Sequence, residues 1–478
     1  FRKIVSMKKF LFSLVLGLFT TIIFANNVQI TNLTRSGNTI SFDISWENSW
    51  YLDQTYHDAV WIFVKQAPNG GPAWQHVDLV PFAVGSGFQT LTPSDQKGIF
   101  LRRNTNGNGT SSTSLTLSCQ GLIGAFQDLK VMAIEMVYIP EGDFYAGDGA
   151  SSGRIAAGDD VSMPIEITSD GPLTCGTSAT DIQYASGVCE DIPASFPVGY
   201  DAFYMMKYSI TQQQYVDFLN CLSRDQQENR VLADITGSTV TNYYVMSDGT
   251  VPDKGNVIRC DVNVGTGPIT FYCDRNNNGI ANEADDGMNR ACNYLSGADW
   301  VAYLDWSGLR PMSFLEAEKA SRGPLLPVQN EFSWGSTLWN DNGTLENAGT
   351  DSEKWSNSYI DGGISTYDDD VIRVGANAPS SGASRELSNA TFYGVIDLGN
   401  NPGDFYIHNA YVSTFSAEDG DGILTGNGAA NVNSWPDYET INSTRIKIPV
   451  QTFGISTLSI ALTGASNGGG GRGVRSNF

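Results

Sequence analysis

The sequence predicts an α+β protein in which an N-terminal all-β sandwich precedes a loop-rich domain with a few short helices. Two patterns support this fold class. In the first part, short apolar runs alternate with polar residues, and clusters of Gly, Asn, Pro and Ser separate them. Further along, three segments combine a helix-capping pair with an apolar stripe on one helix face. The 478 residues are enough for two or three domains.

Composition and charge exclude some kinds of partner. The formal net charge of −23 argues against nucleic acid, because binding to it requires basic surfaces that displace counterions. It also argues against direct binding to anionic membrane surfaces. Frequent aromatic residues and glycines, together with only 17% charged residues, indicate a loop-rich globular protein with a true core.

Residues 7–25 have the pattern of a secretory signal peptide. Met7 is followed by two lysines, an apolar run over residues 10–24, and the small residue Ala25, after which we expect cleavage. The run is shorter than a membrane-spanning helix requires, and no cysteine follows it that could carry a lipid anchor. We therefore expect a secreted or cell-surface protein with no membrane span after signal cleavage.

The β-sandwich is predicted over residues 27–132. Residues 40–46 alternate between apolar and polar side chains, which is typical of a strand with one buried face. Residues 59–64 instead form a continuous apolar run. Further short strands, separated by turn clusters, favour a sandwich of about one hundred residues.

Seven cysteines in an exported chain predict disulfides with one thiol left over. The candidate pairs are Cys175 with Cys189, Cys260 with Cys273, and Cys221 with Cys292, which leaves Cys119 free. The first two pairs each enclose a short loop, and the third would tie two predicted helical segments together. Spacing alone does not fix the connectivity, so other pairings stay open.

The second domain is predicted over residues 133–478, with insertions at about 148–197 and 224–290. Its first helix begins after Thr211, which forms a capping box with Gln214. The apolar stripe on one face of this helix is assigned to the core and consists of Tyr215, Phe218, Leu219 and Leu222.

Two further helices are predicted between residues 292 and 335. Each begins with a capping pair, Ser296 with Asp299 and Ser313 with Glu316. Each ends at a glycine, Gly308 or Gly323, because glycine tolerates the left-handed conformation after the last helical turn.

Four ordered blocks carry a recognisable pattern. Residues 136–144 read MVYIPEGDF, residues 203–219 read FYMMKYSITQQQYVDFL, and residues 393–405 read YGVIDLGNNPGDF. The fourth block lies between residues 219 and 393, and its matching residues are Asp299, Ala302, Tyr303, Trp306, Gly308, Leu309, Arg310, Ser313, Glu316, Glu318, Lys319, Ala320, Arg322, Gly323, Trp334 and Gly335. Together these blocks resemble the sulfatase-modifying-factor family, whose best-known member is the formylglycine-generating enzyme. The resemblance implies a C-type-lectin-like, loop-rich second domain.

The resemblance also bears on activity. Formylglycine-generating enzymes oxidise a substrate cysteine with oxygen at a copper ion, which two cysteine thiolates in the C-terminal part hold. This sequence has no cysteine after Cys292, so we expect neither copper nor catalysis. The predicted function is an exported protein that binds a peptide, a glycan or a surface protein. The alternatives are an oxidoreductase of the formylglycine-generating type, acting on protein cysteine, and a structural component of the cell surface.

Residues 274–285 have the spacing of a calcium-binding loop of the EF-hand type. The candidate ligands are the side-chain oxygens of Asp274, Asn276, Asn278, Asn282 and Asp285, with the backbone carbonyl of Ile280. Gly279 stands at the sixth position, where such loops turn sharply. The alternative is a solvated Asn/Gly turn without an ion.

The resemblance implies a second calcium site. Asn401 and Asp404 match the Asn and Glu with which the family holds calcium, although Asp is shorter than Glu. The alternative is a tight turn around Pro402 and Gly403.

Overall fold

The computed structural model describes residues 28–68, 71, 74–122, 127–149, 155–184, 189–338, 344–355, 371–376, 378, 384–398, 401, 403–407, 413–435, 444–446, 459–461, 469–476 and 478. The predicted signal peptide at residues 7–25 lies outside these ranges. Within them the chain is mostly β, with a few short helices.

The long strands come first in the chain. They are β1 (Gln29–Ser36), β2 (Thr39–Tyr51), β3 (Asp58–Pro68), β4 (Gln75–Val84), β5 (Phe88–Leu91), β6 (Ile99–Arg103), β7 (Gly107–Gln120) and β8 (Gln127–Ile139). Shorter strands follow: β9 (Phe144–Ala146), β10 (Ile155–Ala157), β11 (Ile165–Ile167), β12 (Ile182–Tyr184), β13 (Phe203–Met206), β14 (Ile258–Cys260), β15 (Phe271–Cys273), β16 (Leu345–Glu346), β17 (Lys354–Trp355), β18 (Gly403–Asp404), β19 (Thr444–Ile446), β20 (Ser459–Ala461), β21 (Gly469–Gly470) and β22 (Val474–Arg475). The helices are α1 (Gln212–Leu219), α2 (Arg224–Glu228), α3 (Gly297–Trp306), α4 (Phe314–Arg322) and α5 (Arg385–Ser388).

A ten-stranded sheet organises the fold. Its strand order is β1-β2-β7-β4-β3-β8-β13-β22, with β6 also paired to β3 and β5 paired to β6. Alternate residues of β2, β4 and β7 pack with alternate residues of β3 and β6 in one apolar core. This arrangement is consistent with the predicted β-sandwich, and the described residues before position 212 contain no helix.

Strand β3 is buried on both faces. Val60, Ile62 and Val64 belong to the sandwich core, whereas Trp61 and Phe63 belong to a second core that contains the helices. A strand covered on both faces is apolar at every position, which explains the continuous run at residues 59–64. The Trp61 Nε1 atom donates to the carbonyl of Ser307, 2.8 Å away, and so links β3 to the end of α3.

Strand β8 runs across the predicted domain boundary between residues 132 and 133. It pairs with β3 over residues 58–68 and with β13 over residues 203–206. The two predicted domains therefore share one sheet. The second apolar core includes side chains of that sheet, from β3 and β8, together with those of the helices.

The three predicted capping pairs are confirmed. Each side-chain oxygen at the first position accepts from the backbone N–H three residues later, and each bond is reciprocated. Asp299 performs this role in spite of its short side chain, since its Oδ2 atom accepts from the backbone N–H of Ser296 at 2.9 Å. Helices α3 and α4 end before Gly308 and Gly323, and both glycines have positive φ.

Charged residues of the helix blocks form buried ion pairs. The guanidinium of Arg310 donates to both carboxylate oxygens of Glu316, and that of Arg322 pairs with Glu318 and Glu331. All five side chains are almost fully buried. Their roles in this structure are therefore structural.

The predicted disulfide between Cys175 and Cys189 is present, with the two Cα atoms 5.8 Å apart. The other five cysteines are free and buried.

The other two candidate pairs are not bonded, which corrects the prediction. In the hairpin of β14 and β15, Cys260 stands opposite Phe271 and Cys273 stands opposite Ile258, so the two cysteines are diagonal neighbours. Cys292 and Cys221 lie at opposite ends of α1, since the Cys292 N–H donates to the Ile210 carbonyl just before the helix. A helix of eight residues is about 12 Å long, well beyond the Cα separation of a disulfide.

Candidate functional site

A cleft of about 550 Å³ lies beside the sheet, where β8 passes α1. Its lining comes from residues 131–135 of β8, residues 28–30 at the start of β1, the polar face of α1, and the loop of residues 282–289. A cleft of this size can hold a small ligand or a few residues of an extended chain. These lining segments are far apart in the sequence.

One backbone edge of β8 faces this cleft and is not paired with any of the described strands before residue 136. On the side of β8 that faces β3, the Tyr138 N–H donates to the carbonyl of His57, just before β3, at 3.1 Å. On the side that faces β13, the Glu135 carbonyl accepts from the backbone N–H of Lys207 at 2.9 Å. Backbone groups of alternate residues in an antiparallel ladder point to opposite sides. Val131 and Ala133 therefore turn their N–H and C=O groups to the same side as Glu135. Among the described strands, none pairs with that side of β8 before residue 136.

Helix α1 contributes hydrogen-bond acceptors to the cleft wall. The Gln213 Nε2 atom donates to Asp217 Oδ1 at 3.1 Å, and Gln213 Oε1 is buried without a hydrogen-bond partner among the described residues. Burial raises the pKa of Asp217, although nearby Lys130 and the bond from Gln213 act in the opposite direction. The Lys130 ammonium itself donates to the Asn220 carbonyl at the end of the helix, 3.4 Å away.

The opposite wall is also acidic. Asn289 donates to Asp351 at 2.6 Å, and burial raises the pKa of this carboxyl group. Burial raises the pKa of Glu135 to about 7, although the Lys207 ammonium lies 3.2 Å away. A positively charged ligand group would therefore have a carboxyl partner on each wall, Asp217 on α1 and Asp351 opposite it.

The predicted calcium loop forms a compact turn next to this wall. Asp274, its first candidate ligand, is fully buried and pairs with Arg259, with 2.7 Å between Oδ2 and Nη1. The same carboxylate accepts from the backbone N–H groups of Asn278 at 3.1 Å and Gly279 at 2.8 Å. In this structure Arg259 therefore compensates the charge of Asp274.

The amide side chains of the loop also bond to the backbone. Asn276 accepts from the Asn278 N–H at 3.0 Å, and Asn278 accepts from the Ile280 N–H at 2.7 Å. Asn282 accepts from the Cys273 N–H at 3.1 Å. These bonds shape the turn, and Gly279 has the positive φ of 78° expected at the sixth position.

The carboxylates that do come together are Glu283, Asp285 and Asp286. One oxygen from each lies within 4.8 Å of the others, and this is the single such group found in the part of the chain that the structure describes. Asp286 accepts from the backbone N–H of Arg275 at 3.1 Å and of Glu283 at 2.6 Å, while burial raises its pKa. Only Asp285 of these three was among the predicted ligands. The signal for the others was their adjacency in the sequence.

Asn401 and Asp404 both lie in the interior. The Asn401 amide exchanges two hydrogen bonds with the backbone of Ile372, at 3.2 and 3.1 Å. Asp404 pairs with Arg472 at 2.9 Å and accepts from the Ser209 hydroxyl at 3.2 Å. In this structure both side chains bond to protein groups.

The free thiols are poor candidates for chemistry. Burial raises the pKa of Cys119 and Cys221 to about 11 and that of Cys260 to about 12, and it also raises the pKa values of Cys273 and Cys292 above the ordinary value for a thiol. At neutral pH all five are therefore thiols, whereas thiolates are the reactive and metal-binding form.

Sequence reasoning missed the cleft. The stripe of α1 was assigned to the core, and Tyr215, Phe218 and Leu219 are indeed buried. The opposite face carries Gln213 and Asp217, and their one-turn spacing is the sequence signal that could have indicated this wall of the cleft. No sequence signal indicates the unpaired edge of β8, because this edge depends on where the pairing of β8 with β13 stops, at Met136.

Comparisons with known proteins add little. No family model matches the chain, and no curated protein is similar to it. Among solved structures, the crystal structure of group B streptococcus pilus 2b backbone protein is 11% identical over 38% of this chain and 83% of that chain. Its TM-score of 0.12 is too low to support any conclusion about fold or function. No helix in the described ranges is both long and apolar enough to cross a membrane.

Proposed function

We propose that this is an exported binding protein whose sulfatase-modifying-factor-like, lectin-like domain is non-catalytic, and that the cleft beside β8 and α1 holds its ligand. The observation that carries the proposal is the cleft itself, about 550 Å³ in volume, with acidic side chains on both walls and a strand edge that no described strand pairs with. Pre-formed clefts with a few convergent polar groups are typical of binding sites.

Cysteine chemistry supports a binding function over catalysis. Copper oxidation of the family type needs two thiolates, and the sequence has no cysteine after Cys292. The five free thiols are buried, with pKa values far above neutral. Export is supported by the signal-peptide pattern at residues 7–25 and by the disulfide of Cys175 with Cys189, since disulfides persist in oxidising compartments.

Calcium belongs to the same proposal as a structural ion. Glu283, Asp285 and Asp286 offer carboxylate oxygens, the ligands that calcium prefers, next to loop residues that line the cleft. An ion there would hold the 282–289 wall in place. It would supply charge neutralisation and no redox chemistry.

The test is a screen of the purified protein against peptide and glycan arrays, with Asp217→Arg as the cleft variant. Asp159→Arg is the matched control, because Asp159 is exposed and lies outside the cleft lining. We expect binding that Asp217→Arg abolishes and Asp159→Arg preserves. Binding that neither substitution changes, or no binding on either array, would contradict the proposal.

A second assay addresses the alternative function. The protein is incubated with copper, oxygen and a peptide containing Cys-x-Pro-x-Arg, and the peptide mass is followed. We expect no change in mass. Formylglycine formation would replace the binding proposal with an oxidoreductase function.

A further inference from the structure

We propose that the cleft binds an extended peptide segment of a partner protein, which adds as a strand to the open edge of β8 and places a basic side chain against Asp217 and Gln213. This inference rests on the proposed binding function and names the class of ligand. It depends on three features: the strand edge, the acceptors on α1 and the aromatic residues of the cleft.

The backbone edge of β8 favours a ligand whose own backbone is extended. Val131 and Ala133 direct an N–H and a C=O group into the cleft, at the spacing that a paired strand requires. Residues 129–133 extend over roughly 16 Å, enough for a short added strand. Added strands of this kind gain affinity from main-chain hydrogen bonds.

This edge lacks the usual protection against pairing. Natural proteins place lysine, proline or a bulge on open edges. Here residues 131–133 are Val, Met and Ala, and their register with β3 is regular. The nearest lysine, Lys130, directs its ammonium group to the end of α1. The edge is also recessed within a cleft, which restricts access to a narrow chain such as a single peptide strand.

The wall formed by α1 favours a ligand with a positively charged hydrogen-bond donor. Among the described residues, Gln213 Oε1 is buried without a hydrogen-bond partner, which costs free energy until a donor reaches it. Asp217 stands one helical turn further along the same wall, joined to Gln213 by a 3.1 Å hydrogen bond. An ammonium or guanidinium group supplies several N–H donors and satisfies both acceptors at once. The net charge of −23 attracts such a ligand at longer range.

The aromatic residues of the cleft argue against a sugar. Sugar rings commonly stack on exposed aromatic faces, and the four aromatic residues in the lining are almost fully buried: Phe63, Tyr208, Tyr303 and Trp306. The accessible lining consists instead mainly of partly exposed aliphatic side chains from β1, β8 and the 282–289 loop, with amide and carboxylate groups among them. These groups match a peptide better than a glycan.

The first experiment uses a positional library of acetylated, amidated octapeptides, with binding to the full chain measured by fluorescence anisotropy. We expect selection of one Arg or Lys flanked by β-branched residues. Replacing that basic residue by Glu should weaken binding by at least about tenfold, the effect of one charged hydrogen bond. N-methylation of the selected peptide should weaken binding at alternate positions only, because only those N–H groups face β8.

The second experiment changes the protein edge. Val131→Pro removes an N–H group that faces the cleft and leaves the bonds to β3 in place, and proline is tolerated at such edge positions. Val131→Thr keeps the N–H group and is the matched control. We expect Val131→Pro to weaken peptide binding by about tenfold and Val131→Thr to leave it unchanged. Melting curves of both variants establish that each is folded, and Asp217→Asn tests the charge separately.

The outcomes separate this inference from the proposed function. If peptides fail to bind while a glycan binds and Asp217→Arg abolishes that binding, the cleft is a binding site and the peptide inference is wrong. If peptides bind equally well to folded Val131→Pro, or if N-methylation acts at every position alike, strand addition is refuted. If nothing binds to the cleft, both the inference and the proposed function fail.

Discussion

Asp404 and Arg472 form an ion pair in which neither side chain has any exposed surface, with 2.9 Å between Oδ2 and Nε. The same guanidinium donates to the carbonyls of Lys207, Ile396 and Asp397, at 3.1–3.3 Å. Arg472 thus joins the end of the chain to β13 and to the segment at 396–397. The pair lies where the family resemblance implied calcium.

Removing one member of this pair should be costly. Asp404→Ala leaves a buried guanidinium without its carboxylate, and such uncompensated charges destabilise proteins by about 3–5 kcal/mol. The measurement is the free energy of unfolding in urea. The control is Glu346→Ala, which breaks an exposed pair with Lys354 and should cost less than about 1 kcal/mol. Equal effects of the two substitutions would contradict the structural role.

The calcium proposal predicts a stabilising ion at residues 283–286. Calcium at a hundredfold excess over its Kd should add about 2.7 kcal/mol to the free energy of unfolding. Glu283→Gln should remove this gain and leave the calcium-free protein nearly unchanged. Asp274→Ala should instead destabilise the protein with and without calcium, because Asp274 pairs with Arg259. Melting curves with calcium and with chelator test these expectations, and identical curves for the unmodified protein would rule out the ion.

Lys65 should make stability depend on pH above neutrality. It is fully buried, its ammonium donates to the Gly422 carbonyl at 2.9 Å, and burial lowers its pKa from 10.5 to about 7. Between these two values the unfolded chain binds a proton that the folded chain has lost, so the free energy of unfolding rises with pH. As pH falls towards 7, this increase in the free energy of unfolding is lost.

Lys65→Met tests this expectation. Replacing buried charges by apolar side chains often stabilises proteins by about 1–4 kcal/mol, so we expect higher stability at pH 7 and a flatter pH profile up to pH 10. Urea unfolding at several pH values measures both, with the exposed Lys354→Met as control. If the free energy of unfolding of Lys65→Met rises with pH as steeply as that of the unmodified protein, other groups cause the pH dependence.

The cysteine assignment predicts a definite thiol count. Alkylation of the denatured, non-reduced protein should modify five cysteines, and reduction should expose two more. The double substitution of Cys175 and Cys189 by Ser should lower the free energy of unfolding by up to about 3 kcal/mol, the value for a loop of this length. Intact mass gives the count. Three or fewer alkylated cysteines before reduction would refute the assignment.

The features predicted correctly from the sequence are local. The pair of Thr211 and Gln214 caps α1 because both partners lie within one turn, and the same holds for Ser313 and Glu316. The disulfide of Cys175 with Cys189 closes a short loop. In each case the interacting groups are near neighbours in the chain, so spacing alone describes their geometry.

The features that were missed depend on distant partners. The spacing of residues 274–285 predicts a calcium loop, but spacing cannot show that Arg259 from β14 pairs with the Asp274 carboxylate. The cleft has the same origin, since residues near 30, 131, 213 and 288 meet only through the sheet order. The sequence analysis places a domain boundary between residues 132 and 133, whereas β8 continues through it.

The burial of β3 on both faces limits how this chain can be divided. A fragment ending near residue 132 would leave Trp61, Phe63 and Phe100 uncovered, because these side chains pack in the core that the later residues complete. Such a fragment would present a broad apolar face and would aggregate on expression. Recombination that joined the sandwich to an unrelated domain would need a new surface complementary to that face. We therefore expect the sandwich and the later residues to fold as one unit, because they share this core.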